Sequence, residues 1–151
     1  MLEIEEMKQS EIAALLLRIG YAHLAFSRNN HPYIIPIHYE FHDDLIYVFT
    51  SEGKKTDFLA QNAEVCLQVE DVQSATEWRS AIVNGRAQRI TDPAERQRVI
   101  DLMRDRNPTL APAVSRTWKD TWGFQHVEVM LRITPEKMSG RKTRSRSSKL
   151  D

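Results

Sequence analysis

Residues 21–50 read YAHLAFSRNNHPYIIPIHYEFHDDLIYVFT. The stretch opens with a period of two. Ala22, Leu24 and Phe26 fall on one side of an extended chain, and His23, Ala25 and Ser27 on the other. Asn29 to Pro32 is a run of turn formers, and Tyr33 to His42 is again strand-like. Asp43-Asp44 turns the chain into Leu45–Thr50, rich in aromatic and β-branched residues. Three consecutive strands with tight turns predict an antiparallel meander. Pro36 lies inside the second strand and has no N–H to donate to a ladder, so an edge position or a bulge is expected there.

The flanking segments extend this pattern. Before the meander, Ile12, Leu15, Leu16 and Ile19 form one stripe at helical spacing, with Ser10 as the expected cap and Gly20 as the stop. After it, Lys55 to Gln61 reads as a short helix, and Glu64 to Glu70 as a strand with Val65, Leu67 and Val69 on one face. Asp71–Thr76 reads as a loop. Glu77 to Thr91 is long for one strand, and its Gly85 suggests a bulge or bend. Asp92, Pro93 and Glu95 mark a helix start, with Asp92 as cap and Glu95 completing a capping box. That helix is expected to bury Val99, Leu102 and Met103. A sixth strand follows, with Val127, Val129, Leu131 and Ile133 on one face and Pro135 as its end. Trp118 and Trp122 stand four apart and read as an aromatic patch.

Bulk properties exclude several classes. A chain of 151 residues, 41% hydrophobic and 28% charged, fits one soluble domain. Lys+Arg and Asp+Glu are both 21, so net charge argues against a nucleic-acid module. The acidic N-terminus lacks a long apolar run, so no signal peptide or membrane anchor is expected, and a cytoplasmic protein is the default. The single cysteine, Cys66, excludes an internal disulfide and a cysteine-built zinc cage; it reads as an inert strand residue. His38, Glu40 and His42 share a strand face, but no fourth metal ligand is visible, and no metal is assigned. No G-x-G-x-x-G follows a strand and no G-x-S-x-G is present.

One short motif carries chemistry. Residues 50–55, TSEGKK, join the third strand to the next helix. Alone they read as a solvated turn. As a phosphate seat, Gly53 would free the backbone, the helix start would offer N–H groups, Lys54 or Lys55 the charge, and Thr50 and Ser51 hydroxyls. Trp78 and Ser80 are two apart in a strand, so they share a face and could edge a flat ring.

Together these segments resemble the pyridoxamine 5′-phosphate oxidase-like, FMN-binding split-barrel proteins, and among them the branch that includes nitroimidazole-resistance proteins. The resemblance is carried by GYAHLAF (20–26), HPYIIPIHYEF (31–41), IYVFTSEGKKTDFLAQNAEVCLQVE (46–70) and EWRSAIVNGRAQRITD (77–92), and it runs from about Ser10 to Arg141. It implies a mainly β fold with peripheral helices, a six-stranded antiparallel split β-barrel. The domain would span residues 1–140; composition alone makes 141–151 a basic tail, expected to be disordered because it has too little apolar surface to bury. The resemblance further implies a homodimer with FMN at the interface. By the same resemblance, Lys54 and Lys55 hold the flavin phosphate and Thr50 and Ser51 sit beside it. Pro36, Ile37 and Tyr39 line the ring, partly through backbone. Gln68, Trp78 and Ser80 face the flavin. The implied activity is a flavin-dependent oxidoreductase acting on a small molecule, with a donor such as NAD(P)H. The alternatives are a barrel that binds heme or a deazaflavin, and a flavin carrier or sensor without turnover. Two departures are visible. The nitroimidazole-resistance relatives carry a histidine just before the G-x-K segment, where this chain has Val48 and Phe49. The residues that grip pyridoxine phosphate in true vitamin B6 oxidases are not recognisable, and no side chain stands out as an acid or base.

Overall fold

The computed structural model describes residues 2–50, 53–104 and 129–144. In chain order the elements are β1 (Ile4–Glu6), α1 (Gln9–Ile19), β2 (Tyr21–Arg28), β3 (His31–His42), β4 (Leu45–Thr50), α2 (Lys54–Gln61), β5 (Glu64–Ser74), β6 (Glu77–Arg89), α3 (Pro93–Arg104) and β7 (Val129–Thr143). The sheet order is β1-β7-β4-β3-β2-β5-β6, and a β6–β7 pairing closes it into a ring of six strands with β1 outside. Every pairing is antiparallel. The expected six-stranded split barrel is therefore the fold.

The meander forms as its sequence dictates. Asn29-Asn30 and Asp43-Asp44 all have positive φ, between 47° and 63°, as two-residue hairpin turns require. Pro36 pairs with His23 in an unbroken register, so there is no bulge at the proline. It is tolerated because β4 pairs only with Tyr39–His42 of β3, which leaves the first part of that strand as an edge.

The core fills the barrel. Leu24, Phe26, Ile37, Tyr39, Ile46, Val48, Val65, Leu67, Val69, Val83, Leu131 and Ile133 point inward, and Ile12, Leu15 and Leu16 of α1 pack onto them. A second cluster lies outside the barrel, where Val99 of α3 covers Tyr47, Phe49, Ile90 and Met130. Leu102 is only partly buried, and the Met103 side chain, like Val127, Trp118 and Trp122, lies outside the described residues.

Several boundaries differ from expectation. Helix α1 begins one residue before Ser10: Lys8 is the cap residue, and its N–H donates to Glu11 Oε1 at 3.0 Å. Residues 71–74, expected as a loop, extend β5 into a long ribbon with β6. At α3 the cap is Asp92, whose Oδ2 accepts Glu95 N–H at 3.0 Å, but the Glu95 carboxylate turns to Arg132 instead of closing a capping box. Pro135 does not end the last strand. The β6–β7 register shifts between Asn84 and Gly85, and Pro135 sits in that bulge, where no ladder N–H is required. Strand β7 then runs on to Thr143, so residues 141–143 are paired sheet residues and not the start of a tail. The unforeseen β1 supplies their partner, with Lys142 bound to Glu5 and Glu11 and Arg144 to Glu3. Residues 145–151 lie outside the described residues.

Candidate functional site

Two groups of side chains stand out once the barrel closes. The first lies on the outer face of β3, β2, β5 and β6. Register places Pro36, His23, Gln68 and Ile82 side by side across the four strands. The adjacent row is Ile34, Ala25, Cys66 and Asn84. Gln68 Nε2 donates to Ser80 Oγ and to Glu70 Oε2, both at 3.2 Å. His23 Nε2 lies 3.5 Å from the Tyr21 hydroxyl, and the two rings meet edge to face with centroids 5.5 Å apart. Trp78 continues this face along β6 and is half-buried; Thr143 Oγ1 accepts its backbone N–H at 3.1 Å. Three of the expected ring-facing residues, Pro36, Gln68 and Ser80, thus come together with Trp78 close by on the same strand. His23 in their midst was missed. Its position opposite Pro36 follows from the two-residue Asn29-Asn30 turn, where the sequence pattern suggests the longer run Asn29 to Pro32.

The second group surrounds the start of α2. Gly53 precedes the helix with φ 151°, and its N–H and carbonyl both engage Thr56 Oγ1, at 3.2 and 2.7 Å. Lys54 is exposed, and its Nζ stands 5.1 Å from the Tyr33 ring centroid and 6.0 Å from that of Phe58. Arg28, at the end of β2, stacks over the same Phe58 ring at 4.5 Å. The TSEGKK motif therefore places one cation in the open beside an aromatic cluster. Ser51 and the Lys55 side chain lie outside the described residues.

Other expected site residues are buried. Ile37 and Tyr39 point into the barrel, and Tyr39 is 0% exposed with its hydroxyl donating to Leu16 O at 2.7 Å. Any contact from these two with a ligand on the outer face is through backbone, since their side chains are committed to the core. Thr50 is buried on the inward alternation of Ile46 and Val48.

The titratable groups near the outer face have distinct states. Burial pushes His38 down to about 4, although Gly20 O accepts a bond at 2.9 Å from its Nδ1, which acts in the opposite direction. The imidazole is therefore neutral at pH 7, with its proton on Nδ1. Burial pushes the Cys66 thiol up, which favours the unreactive form. Among the described residues, no group of three His, Cys, Asp or Glu side chains is placed to hold a metal ion, and no helix is long and apolar enough to cross a membrane.

A closed six-stranded antiparallel barrel, split where β7 leaves β4 for β1, with an open polar face and a lysine at the next helix start, defines a split-barrel protein. The family follows directly: a model described as pyridoxamine 5′-phosphate oxidase matches residues 8–142, and the chain belongs to that family. An uncharacterized protein of Rhizobium meliloti strain 1021, RA0666, is 32% identical over 87 residues, which spans 58% of this chain and 58% of that relative. Among solved structures, an FAD-binding protein of Mesorhizobium loti (mll6688) superposes with a TM-score of 0.73 at 25% identity, covering 92% of this chain and 97% of its own. A candidate 5-nitroimidazole antibiotic resistance protein of Bacteroides thetaiotaomicron shares the fold, with a TM-score of 0.70 at 16% identity over 95% of this chain and 91% of its own.

Proposed function

We propose that this protein binds FMN and acts as a flavin-dependent oxidoreductase on a small molecule. Lys54 is the observation that carries this reading. It is exposed at a helix start, packs its ammonium near two rings, and has no ion pair among the described residues. A phosphate there gains a cation and backbone N–H donors. Tyr33, beside Lys54, packs against the core side of β3, while Pro36 faces outward, roughly 10 Å along the strand. In this reading the phosphate meets Lys54 at the barrel end and the flavin reaches over the open edge of β3, so that its ring lies against Pro36, Gln68 and Ser80. A bound flavin supplies electron or hydride transfer; the protein orients it and excludes water from one side. The relative of known structure described as FAD-binding supports the flavin class, and the choice of FMN rests on the resemblance carried by the TSEGKK segment. In this reading a second copy of the chain covers the other side of the ring, because the same face exposes Ile34 and Ile82, 63% and 41% accessible.

The deciding experiment is the absorption spectrum of the purified protein, with and without added FMN. Bands near ~370 and ~450 nm belong to flavin and a Soret band to heme, since the cofactor's own chemistry sets them. Protein that stays colourless in excess FMN refutes the proposal. Lys54→Ala with Lys55→Ala should weaken FMN binding tenfold or more, about 1.4 kcal/mol, in a fluorescence titration. Oxidation of NAD(P)H by the loaded protein separates an enzyme from a carrier.

A further inference from the structure

We propose that Arg28 is a second cation for the flavin phosphate, acting with Lys54. This rests on the flavin reading above and extends it to a residue outside the TSEGKK motif. Arg28 ends β2 beside Ser27. Asn62, just past α2, donates from Nδ2 to Ser27 O and Ser27 Oγ at 3.1 and 3.2 Å, and its N–H donates to Phe58 O at 2.9 Å. These bonds tie the far end of α2 to the end of β2 and bring Phe58 under the Arg28 guanidinium at 4.5 Å. Lys54 is four residues before Phe58, hence on the same side of the helix, and its Nζ is 6.0 Å from the same ring centroid. The two cations therefore lie within about 10.5 Å of each other, the sum of those two distances.

What sets this place apart is that two cations share one ring. Arg18, Arg86, Arg132 and Arg144 each face a carboxylate. Arg28 and Lys54 have ring contacts and no ion pair among the described residues. Two like charges gathered on one ring repel each other, and an anion between them removes that cost. Arginine suits a phosphoryl group in particular, because its planar fork donates two parallel hydrogen bonds. Phe58, buried beneath, fixes the fork's plane.

The test is a fluorescence titration of wild type, Arg28→Ala and Arg28→Lys with riboflavin, FMN and FAD. Riboflavin has no phosphate, FMN one and FAD two. Arg28→Ala should weaken FMN and FAD tenfold or more and riboflavin less than threefold, and Arg28→Lys should restore part of the loss. Thermal unfolding without ligand checks that the variants fold. If Arg28→Ala does not fold, Arg28→Gln, which keeps a stem over Phe58, carries the same comparison. An equal loss for all three ligands, or no loss for FMN, overturns the proposal and leaves Arg28 as a packing residue. Wild type that binds none of the three removes the flavin reading itself, a different failure.

Discussion

His38 and Tyr39 are neighbours on β3 and point to opposite sides of the sheet, yet both bind the end of α1. Leu16 is among the last four residues of that helix, whose carbonyls have no partner within it. The Tyr39 hydroxyl satisfies Leu16 O, and Gly20 O accepts from Tyr39 N–H and from the His38 ring. This explains why Tyr39, expected at a ligand, is a core residue: its hydroxyl closes a helix end. His38 has a consequence for pH. Its folded pKa is lowered from 6.5 to about 4, so between those values the unfolded chain binds more protons. Stability is full above pH 6.5 and is lost as pH falls through that window. Between pH 7.5 and 5.0 the loss is about 2 kcal/mol. Urea denaturation at the two pH values measures it, and His38→Gln should abolish most of the difference. Glu11 and Asp71, whose ion pairs with Lys142 and Arg18 lower their carboxyls, act below their ordinary values of 4.5 and 3.8. They leave the upper part of the window to His38.

At the scale of elements, the β6–β7 ribbon sets the barrel's shape. It was readable in part. Gly85 signalled a bend, and the register shift falls there. A Cβ on Gly85 would stand 2.5 Å from Thr134 O, a backbone atom that cannot move aside cheaply. Gly85→Ala should therefore cost about 1–3 kcal/mol, the usual range for overpacking, read as a lower denaturation midpoint with an unchanged slope. Wild-type stability in this variant would show that the ribbon relaxes without strain. Pro135 misled because a proline signals a strand end only where the next residue must pair without interruption; a bulge lifts that requirement. The partnership of β1 with β7 had a faint signal, an acidic N-terminus and a basic run after Gly140. Opposite charge over so long a separation does not specify pairing.

For the whole molecule, the ring of six strands leaves two kinds of outer surface. One, over β4 and the start of β7, is covered by α3. The other, over β3, β2, β5 and β6, is where Ile34, Pro36 and Ile82 are exposed beside Gln68 and Ser80. In the proposed assembly a second copy covers that face, so sedimentation velocity at micromolar concentration should give twice the 17.5 kDa chain mass. Ile34→Lys with Ile82→Lys should shift the protein to monomer and weaken FMN binding together. A wild-type monomer that still binds FMN would confine the site to one chain.

Alternation, turn residues and helix starts act over a few neighbours, so the amino-acid sequence alone determined the meander, the three helices and the six-strand order. It also placed Lys54 at a helix start. What it could not determine is which distant residues meet. Tertiary structure set His23 beside Gln68, brought Arg28 over Phe58, turned Tyr39 inward onto Leu16, and carried β7 past Pro135 to β1. The reason is physical. A period of two fixes which residues share a face, whereas lateral register, bulges and the docking of a helix on a barrel end are decided by packing between segments far apart in the chain.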